Sequence, residues 1–433
     1  MKIIKVFEFS RLAVDEFGFS QAHFDLLVRY NEQHGNKYFN VGNKRIYFKN
    51  YVGVIQAGNL IIEILPKADR DTTDSNIEIN KWHNALIYML NMCGYINIDS
   101  ISRAELQLQN TTLIDLFYNV FLEEIKSIIH CGLVRRYRHK SDNLPYLKGR
   151  LVFNRHLSEN YLHKEMFYTT HQVYDQNNVY NQILYQALLA LKNINKNNDL
   201  YSEACNILYN FDGIDAVGIT DNLFDSLSFN RNTLKYKNAI TLARMILQNY
   251  SPDMISGENS IIGILFDMNI LFEKVIYRLL KANESKFSDA ELLLSAQQSK
   301  EFWQDQTIRP DIIGECRCGK DGPKKKFIID TKWKIPPNSL PNDGELKQMF
   351  SYNIHFGAER SVLLYPWVDG SHVESAPFKE SEAVNRTFSD HSCSTYFIDI
   401  FTNHGRINKS AGDELIKSLL TPKVLGQEIE STI

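Results

Sequence analysis

Residues 309–334 read RPDIIGECRCGKDGPKKKFIIDTKWK and contain the strongest strand pattern in the C-terminal part of the chain. Apolar runs bounded by turn residues predict two strands, over residues 309–314 and 327–334, with residues 316–326 returning the chain as a hairpin. Side chains alternate between the faces of a strand, so Asp330 and Lys332 share one face. We therefore expect Asp311, Asp330 and Lys332 to converge at one sheet edge.

Two carboxylates and an ammonium at one sheet edge suit phosphodiester hydrolysis. Asp311 and Asp330, with the carbonyl of Thr331, are hard oxygen ligands that could hold Mg²⁺ and leave positions open for water and phosphate. Lys332 could orient the attacking water and offset charge in the transition state. An isolated D-x-K on a strand is more often a surface salt bridge, but the preceding Pro-Asp and the apolar strand favour a site.

Helices on either side of this stretch carry further candidates. Glu273 lies in a predicted helix over residues 268–281 and is either an auxiliary acid near the metal or a solvated residue paired with Lys274 or Arg278. Gln348 and Tyr352 are four apart on a predicted helix over residues 345–356, so they share one face. They could contact the phosphate backbone, brace the lysine, or be ordinary polar surface.

Composition limits the class of protein. The chain has 433 residues, of which 44% are hydrophobic and 23% charged, and this excludes a disordered or fibrous chain. The net charge of -3 excludes a global cationic field, so contacts with nucleic acid must come from local patches. There is no apolar run long enough to span a membrane, and we identify no signal peptide. Six scattered cysteines favour a reducing cytoplasm.

Outward from residues 309–334, the chain divides into three predicted regions. Short strands at 46–48, 52–55 and 60–65 indicate a β-rich N-terminal domain over residues 1–75. A mostly helical middle region follows over 76–250, and the Pro- and Gly-containing residues 249–260 mark the boundary. Residues 255–433 read as an α/β domain with a mixed central sheet, so the predicted fold is an α+β region followed by an α/β domain.

Two basic stretches have alternative interpretations. The first contains Arg135, Arg136, Arg138, Lys148 and Arg150, and it could contact phosphates, contact an acidic partner surface, or be a solvated connection between helices. The second, formed by Lys324, Lys325 and Lys326, is either a DNA-backbone contact or a solubilising hairpin tip. Cys316 and Cys318 do not predict a structural zinc site, because no further Cys/His pair lies nearby at the required spacing.

The order FE, RPD, DTKWK and Q-x-x-x-Y resembles the PD-(D/E)xK nuclease superfamily. More narrowly, the chain resembles the McrC family, the nuclease subunits of McrBC and LlaJI-like restriction systems. The segments outside the nuclease motifs that carry this resemblance are IEILPK at 62–67, LVRRY at 133–137, LKGRL at 147–151, VYD at 173–175 and MNILFE at 268–273.

The resemblance implies a Mg²⁺-dependent DNA endonuclease subunit that stimulates a partner AAA+ GTPase, McrB, and cuts modified double-stranded DNA. It implies Asp311 and Asp330 as metal ligands, Lys332 as the catalytic lysine and Glu273 as an auxiliary acid, and it favours the first basic stretch as the partner interface. The chain contains no G-x-x-x-x-G-K-[ST] motif, so a nucleotide-driven motor would be another polypeptide. Two alternatives are a catalytically inactive adaptor that activates an NTPase ring and a stand-alone nuclease.

Overall fold

The computed structural model describes residues 1–67, 76–96, 112–194, 199–251, 260–317, 323–368, 371–379, 391–402 and 405–420. Over these residues the chain is a mixed α/β protein built on mixed and antiparallel sheets. The mixed architecture that the sequence predicts is therefore confirmed at this level.

Short strands dominate the first 65 residues. The elements are β1 (Lys2–Phe7), β2 (Arg11–Ala13), α1 (Gln21–Gln33), β3 (Phe39–Gly42), β4 (Arg45–Phe48), β5 (Tyr51–Ala57) and β6 (Leu60–Leu65). The three strands predicted at 46–48, 52–55 and 60–65 are confirmed as β4, β5 and β6.

The middle of the chain is mostly helical but also contains three strands. The elements are α2 (Asn76–Met92), α3 (Leu113–His130), β7 (Arg136–Leu144), β8 (Arg150–Leu151), α4 (Phe153–Glu159), β9 (Phe167–Asp175), α5 (Val179–Ile194), α6 (Asp199–Leu208), α7 (Asp221–Asp225) and α8 (Lys237–Gln248). Arg136 and Arg138 of the first basic stretch lie in β7 and Arg150 lies in β8, while Arg135 and Lys148 lie outside these strands. The stretch is therefore partly paired in a sheet, and its role stays a prediction. Alternating exposure along β7 explains why no helical periodicity marked it.

The C-terminal part alternates strands and helices. The elements are β10 (Tyr250–Ser251), β11 (Ile261–Asp267), α9 (Met268–Asn283), β12 (Leu293–Ala296), β13 (Lys300–Trp303), β14 (Gln306–Ile308), β15 (Ile312–Arg317), β16 (Lys324–Thr331), α10 (Asp343–Phe356), β17 (Arg360–Pro366), β18 (Ser375–Pro377), β19 (Ser392–Ile398) and α11 (Ser410–Leu420). The strands predicted at 309–314 and 327–334 are β15 (Ile312–Arg317) and β16 (Lys324–Thr331) in the structure, so their limits differ from the predicted ones. Pro310 has no N–H to donate, so the first strand begins after Asp311 rather than at Arg309.

The N-terminal sheet takes strands from distant parts of the chain. Its order is β1-β6-β5-β11-β10, with β1 parallel to β6 and the other pairs antiparallel. At Gly53 in β5, φ is +136° and an added Cβ would overlap the carbonyl oxygen of Ile264 in β11, so only glycine allows this close pairing. The sheet thus includes β11, which our predicted division assigns to residues 255–433.

The linker predicted at 249–260 lies mostly outside the described residues, because positions 252–259 are not among them. The division into domains over 1–75, 76–250 and 255–433 stays a prediction. The continuity of the N-terminal sheet through β11 nevertheless joins the first region directly to α9.

The C-terminal sheet has six strands in the order β12-β15-β16-β17-β19-β18 and contains both parallel and antiparallel pairs. Ile312, Ile329 and Leu364 belong to the apolar core shared with α9. Ile313, Ile328 and Leu363 belong to a second core shared with α10. The sheet therefore lies between the two helices, and β16 runs through its centre towards residues 330–332.

Helix α10 is fixed at both ends. The side chain of Asn342 accepts a hydrogen bond from the backbone N–H of Glu345, and the Glu345 carboxylate accepts one from the backbone N–H of Asn342. Gly357 ends the helix with φ of +67°. The capping box places the first turn of α10 beside the carboxyl end of β16.

Candidate active site

The strand register brings Asp311 and Asp330 together. β15 and β16 are antiparallel, and their ladder ends with Ile312 opposite Ile329. Asp311 directly precedes β15, and its charge contributes to the raised pKa of Asp330, so the two carboxylates lie near each other. Asp330 is only 2% exposed, so it is not part of a surface salt bridge of the common D-x-K kind. The structure thus brings Asp311 and Asp330 near each other, and their joint role as metal ligands stays a prediction.

Thr331 holds the Asp311 carboxylate in place. Its backbone N–H and its hydroxyl both donate to Oδ2 of Asp311, at 2.7 and 2.8 Å. This pair of hydrogen bonds joins the end of β16 to the residue that opens β15. The second oxygen of Asp311 takes no part in these two bonds.

Lys332 lies one residue beyond β16 but remains tied to the sheet. Its backbone N–H donates to the carbonyl oxygen of Leu364 at 2.9 Å. Its Nζ is 2.6 Å from Oδ2 of Asp330 and 3.4 Å from Oε1 of Gln348. The ammonium therefore lies between a buried carboxylate and the amide of α10.

The electrostatics of the site are dominated by burial. Burial and the nearby Asp311 raise the pKa of Asp330 to about 7, although Lys332 acts in the opposite direction. Burial also opposes the charge of Lys332, but the attraction of Asp330 outweighs this effect and raises the pKa of the lysine. Two acids and one base share a poorly hydrated site, and an added cation would relieve the repulsion between the acids.

A chain of hydrogen bonds runs from Lys332 across α10 to Arg309. Gln348 accepts from Lys332 through Oε1 and donates through Nε2 to the Tyr352 hydroxyl at 2.8 Å. The Tyr352 hydroxyl donates to the carbonyl oxygen of Arg309 at 3.1 Å. Of the roles that the sequence allows for Gln348 and Tyr352, these contacts match the bracing of the lysine.

Glu273 lies next to the carboxylate pair but has its own partner. It accepts a hydrogen bond from Nε2 of Gln297 at 2.7 Å, and the backbone N–H of Gln297 donates to the carbonyl oxygen of Asp311. Burial and the Asp311 charge raise the pKa of Glu273. Among the described residues there is no ion pair between Glu273 and Lys274 or Arg278, so the solvated-pair interpretation does not match the contacts.

The lysines Lys324, Lys325 and Lys326 are not brought to the carboxylate site. They open β16, whereas Asp330 and Thr331 close it, and a strand of this length places its ends roughly 20 Å apart. Each lysine is paired with an acid: Lys324 with Glu291 at 3.8 Å, Lys325 with Glu359 at 2.6 Å and Lys326 with Glu315 at 3.0 Å. Their DNA-binding role stays a prediction.

The first basic stretch forms a sheet of its own, with order β7-β9-β8, which we call the basic sheet. Arg138 pairs with Asp175 at 2.9 Å, and the Arg136 guanidinium lies 4.5 Å from the centre of the Tyr180 ring. Arg135, Lys148 and Arg150 are exposed. Large apolar side chains are also exposed along the basic sheet and its connections, namely Tyr137, Tyr146, Leu147, Phe153, Leu157, Tyr161, Leu162 and Tyr174.

The sequence analysis assigns no role at the site to two residues, Glu345 and Arg309. Glu345 is buried, pairs with Lys334 at 2.8 Å and accepts a hydrogen bond from the Tyr365 hydroxyl at 3.1 Å. Asn342, three residues before it, could have identified it as part of a capping box. The sequence pattern gives Arg309 no role of its own beyond the RPD motif. In the structure its carbonyl oxygen is the last acceptor in the chain of hydrogen bonds from Lys332.

Other metal and membrane signals are absent from the part of the chain that the structure describes. There is no group of three or more His, Cys, Asp or Glu side chains arranged to hold a metal ion, so Glu273 does not complete a three-acid cluster. Cys316 is buried, while Cys318 lies outside the described residues. None of the described helices is long and apolar enough to cross a membrane.

The chain is a mixed α/β protein with two neighbouring carboxylates, one of them buried, and a lysine bonded to the buried one at the edge of a helix-flanked sheet. Residues 46–366 match the model of the McrBC 5-methylcytosine restriction system component, and the chain belongs to this family. The family resemblance predicted from the motifs is thus confirmed.

Two relatives illustrate this membership. The chain is 23% identical over 254 residues to the type IV methyl-directed restriction enzyme EcoKMcrBC of Escherichia coli K12. The aligned residues cover 57% of this chain and 72% of the relative. It also resembles a chain from the tetradecameric assembly of Thermococcus gammatolerans McrB AAA+ hexamers with bound McrC. The TM-score is 0.64 at 20% identity, over 96% of this chain and 99% of the archaeal one, and this likeness concerns the fold alone.

Proposed function

We propose that this chain is a Mg²⁺-dependent DNA endonuclease subunit of a modified-cytosine restriction complex, with a nuclease domain of the PD-(D/E)xK kind. The observation that carries the proposal is the meeting of Asp311, Asp330 and Lys332 at the end of two paired strands. Family membership supports a restriction role, and the intact trio favours a working site over an inactive adaptor.

The donor set fits magnesium. Mg²⁺ is usually held by one or two carboxylates and keeps several water ligands, so the absence of a three-acid cluster from the described residues does not disfavour it. Asp311, Asp330 and the Thr331 carbonyl would hold the ion. When bound, Mg²⁺ would act as a Lewis acid on the phosphoryl oxygen.

The protein's own residues orient the attacking water and stabilise the developing charge. Lys332 donates hydrogen bonds to the attacking water and orients it towards phosphorus, because Gln348 and Asp330 hold its ammonium from two sides. The positive charge of Lys332 also stabilises the negative charge that develops on the phosphate. Glu273 adds negative charge beside Asp311 and acts as an auxiliary acid.

We propose an AAA+ GTPase of the McrB type as the partner and modified double-stranded DNA as the substrate, in the cytoplasm. The archaeal assembly that shares the fold pairs McrC with McrB AAA+ hexamers, and the E. coli relative is a methyl-directed restriction enzyme. The basic sheet supports a docking role, because exposed basic and aromatic side chains together are typical of interfaces. Cys93, Cys131, Cys205 and Cys393 are free thiols, in keeping with a reducing compartment.

The test is cleavage of methylcytosine-containing DNA by the purified chain with its AAA+ partner, GTP and Mg²⁺. Asp330→Asn and Lys332→Met should each lower the cleavage rate by at least about a hundredfold. Both variants should still stimulate GTP hydrolysis by the partner. Asp212→Asn and Lys409→Met, which change exposed residues away from the site, are the matched controls and should cut normally.

Either of two results would favour an alternative function over the proposed one. If the wild-type chain stimulates the GTPase but never cuts, and Asp330→Asn behaves identically, the chain is an adaptor. If it cuts equally well without the partner or GTP, it is a stand-alone nuclease.

A further inference from the structure

A short hairpin lies directly before the catalytic motif. β13 and β14 pair in antiparallel fashion, and Arg309 follows β14 without a break in the chain. Nζ of Lys300 donates to the carbonyl oxygen of His355 at 2.8 Å and lies 4.8 Å from the centre of the Phe356 ring. The hairpin is thus anchored to the C-terminal end of α10, while the other end of that helix lies beside the carboxylates.

Between the hairpin and α10 is an open cleft of about 590 Å³. Its walls include Ser299, Phe302, Arg309, Gln348, Ser351 and Tyr352. Gln348 and Tyr352 are the same residues that brace Lys332, so the cleft adjoins the catalytic lysine. Most of the remaining wall is hydroxyl and guanidinium, which suits a hydrated, charged strand better than an apolar ligand.

Two side chains in this cleft have the chemistry to hold a nucleotide. Arg309 is exposed, and no ion pair of its guanidinium is found within the described part of the chain. Phe302 is 50% exposed and is held edge-on to His355, with ring centres 5.2 Å apart. The Arg309 guanidinium is exposed and has Glu273 as an electrostatic neighbour, so it can still reach a phosphate, and a positioned aromatic ring suits a base or sugar.

We propose that this cleft holds the nucleotide next to the scissile phosphate on the cut strand, with Arg309 contacting the phosphate of that nucleotide and Phe302 packing against its base and sugar. The inference rests on the proposed nuclease function. It assigns DNA positioning to the RPD arginine and the hairpin, rather than to the lysines at the far end of β16.

The two contacts have different signatures. A lost phosphate contact reduces the slope of log binding constant against log salt concentration by about 0.9. A lost packing contact with the uncharged ring weakens binding by about tenfold and leaves the slope unchanged, because no phosphate contact is lost. Arg309→Gln should therefore weaken binding and flatten the salt dependence, whereas Phe302→Ala should only weaken binding.

The experiment measures anisotropy of a fluorescein-labelled, methylcytosine-containing duplex with the full chain and its partner, in the Asp330→Asn background so that the probe stays intact. The variants are then compared in cleavage, with an otherwise wild-type chain, where KM should rise and kcat should stay close to that of the wild type. Phe302→Leu keeps the apolar volume without the ring and should show part of the loss. Arg231→Gln and Tyr209→Ala are exposed controls that should behave as wild type.

Wild-type binding and salt slope in both cleft variants would overturn the inference while the nuclease function stands. A fall in kcat at unchanged KM would also overturn it, because it would indicate disturbed chemistry rather than a lost contact. If the wild-type chain does not cut DNA at all, the proposed function fails, and the inference fails with it.

Discussion

Asp330 is placed where its charge is unfavourable unless a cation is close. It is buried, it faces Asp311 across the strand pair, and its pKa is raised to about 7 even with the Lys332 ammonium 2.6 Å away. Lys332 alone therefore does not offset both burial and the second carboxylate. A divalent cation would stabilise this buried site more than it would stabilise an exposed ion pair, because water screens the charges of an exposed pair.

At the same scale, Gln348 should matter for chemistry more than for binding. It holds the Lys332 ammonium on the side away from Asp330, so Gln348→Ala should let the lysine turn towards the acid and away from water. We expect kcat for DNA cleavage to fall by about tenfold with KM little changed. Tyr352→Phe keeps the ring but removes the link to Gln348, and should give a smaller loss.

Steady-state cleavage kinetics check this prediction. Gln21→Ala, which removes an exposed glutamine from α1, is the control. A rise in KM with kcat preserved would instead mean that Gln348 contacts the DNA, as the sequence also allows.

At the scale of elements, the end of β16 is tied to the N-terminal sheet through one buried bond. Nε1 of Trp333 donates to Oε1 of Glu8 at 2.6 Å, and the Trp333 ring packs near Phe272 and Trp82. Trp333→Phe keeps most of the packing but removes the donor, so the chain should lose about 2 kcal/mol of stability. Thermal unfolding measures the loss of stability, and Trp367→Phe, at a partly exposed position, is the control. Equal melting temperatures for Trp333→Phe and the wild type would contradict the prediction.

Glu63 in β6 links β1 of the N-terminal region to α2 and α3 of the middle region. It accepts the backbone N–H of Leu113, which opens α3, at 2.7 Å, and lies 3.5 Å from both His83 and Lys5. Burial alone would raise the pKa of Glu63, but these partners outweigh it and lower the pKa below the ordinary value of 4.5. The unfolded chain then binds the proton more readily, so the stability from Glu63 is present above that value and is lost as pH falls through the lower pKa.

Glu63→Gln should accordingly be less stable than wild type at pH 7 and should lose less of its remaining stability on acidification. Urea-unfolding midpoints measured between about pH 3 and pH 7 check both parts. Parallel pH profiles for the variant and the wild type would show that Glu63 is not responsible.

Local sequence patterns predict which residues form strands and helices, but they do not predict which strands pair with each other. The runs at 52–55 and 60–65 and the helix over 268–281 were predictable because their apolar periodicity is strong. The pairing of β11 with β5 was not, since it joins residues more than two hundred positions apart. The basic sheet was missed because its strands are largely exposed and carry little apolar signal.

The three residues proposed as catalytic were more predictable than their surroundings. Asp311, Asp330 and Lys332 follow from side-chain alternation on two neighbouring strands, which requires no long-range information. The distance of Lys324, Lys325 and Lys326 from the site depends on where β16 begins, and the sequence placed that start three residues too late. Glu345 and the hairpin cleft required knowledge of how α10 packs.

At the scale of the whole molecule, the site and the basic sheet are separate surfaces, and we expect them to be separable in function. Lys148→Glu with Arg150→Glu reverses two exposed charges of the basic sheet without touching the catalytic residues. Stimulation of the partner's GTPase should fall by about tenfold or more, and the loss should shrink at high salt because exposed charges are screened. GTP turnover across a salt series measures this.

Lys409→Glu, another exposed charge reversal, is the control for that prediction and should stimulate normally. Full stimulation by the Lys148 and Arg150 double variant would move the partner interface elsewhere on the molecule.

The most direct test of the account is to locate the cation itself. Crystals of the chain grown with Mn²⁺ in place of Mg²⁺ should show one anomalous peak at the end of β16, with oxygens of Asp311 and Asp330 each about 2.1 Å from it. The same peak should be missing in Asp330→Asn. A wild-type map in which Mn²⁺ lies elsewhere, or in which the two carboxylates bind no ion at saturating metal, would contradict the proposed nuclease.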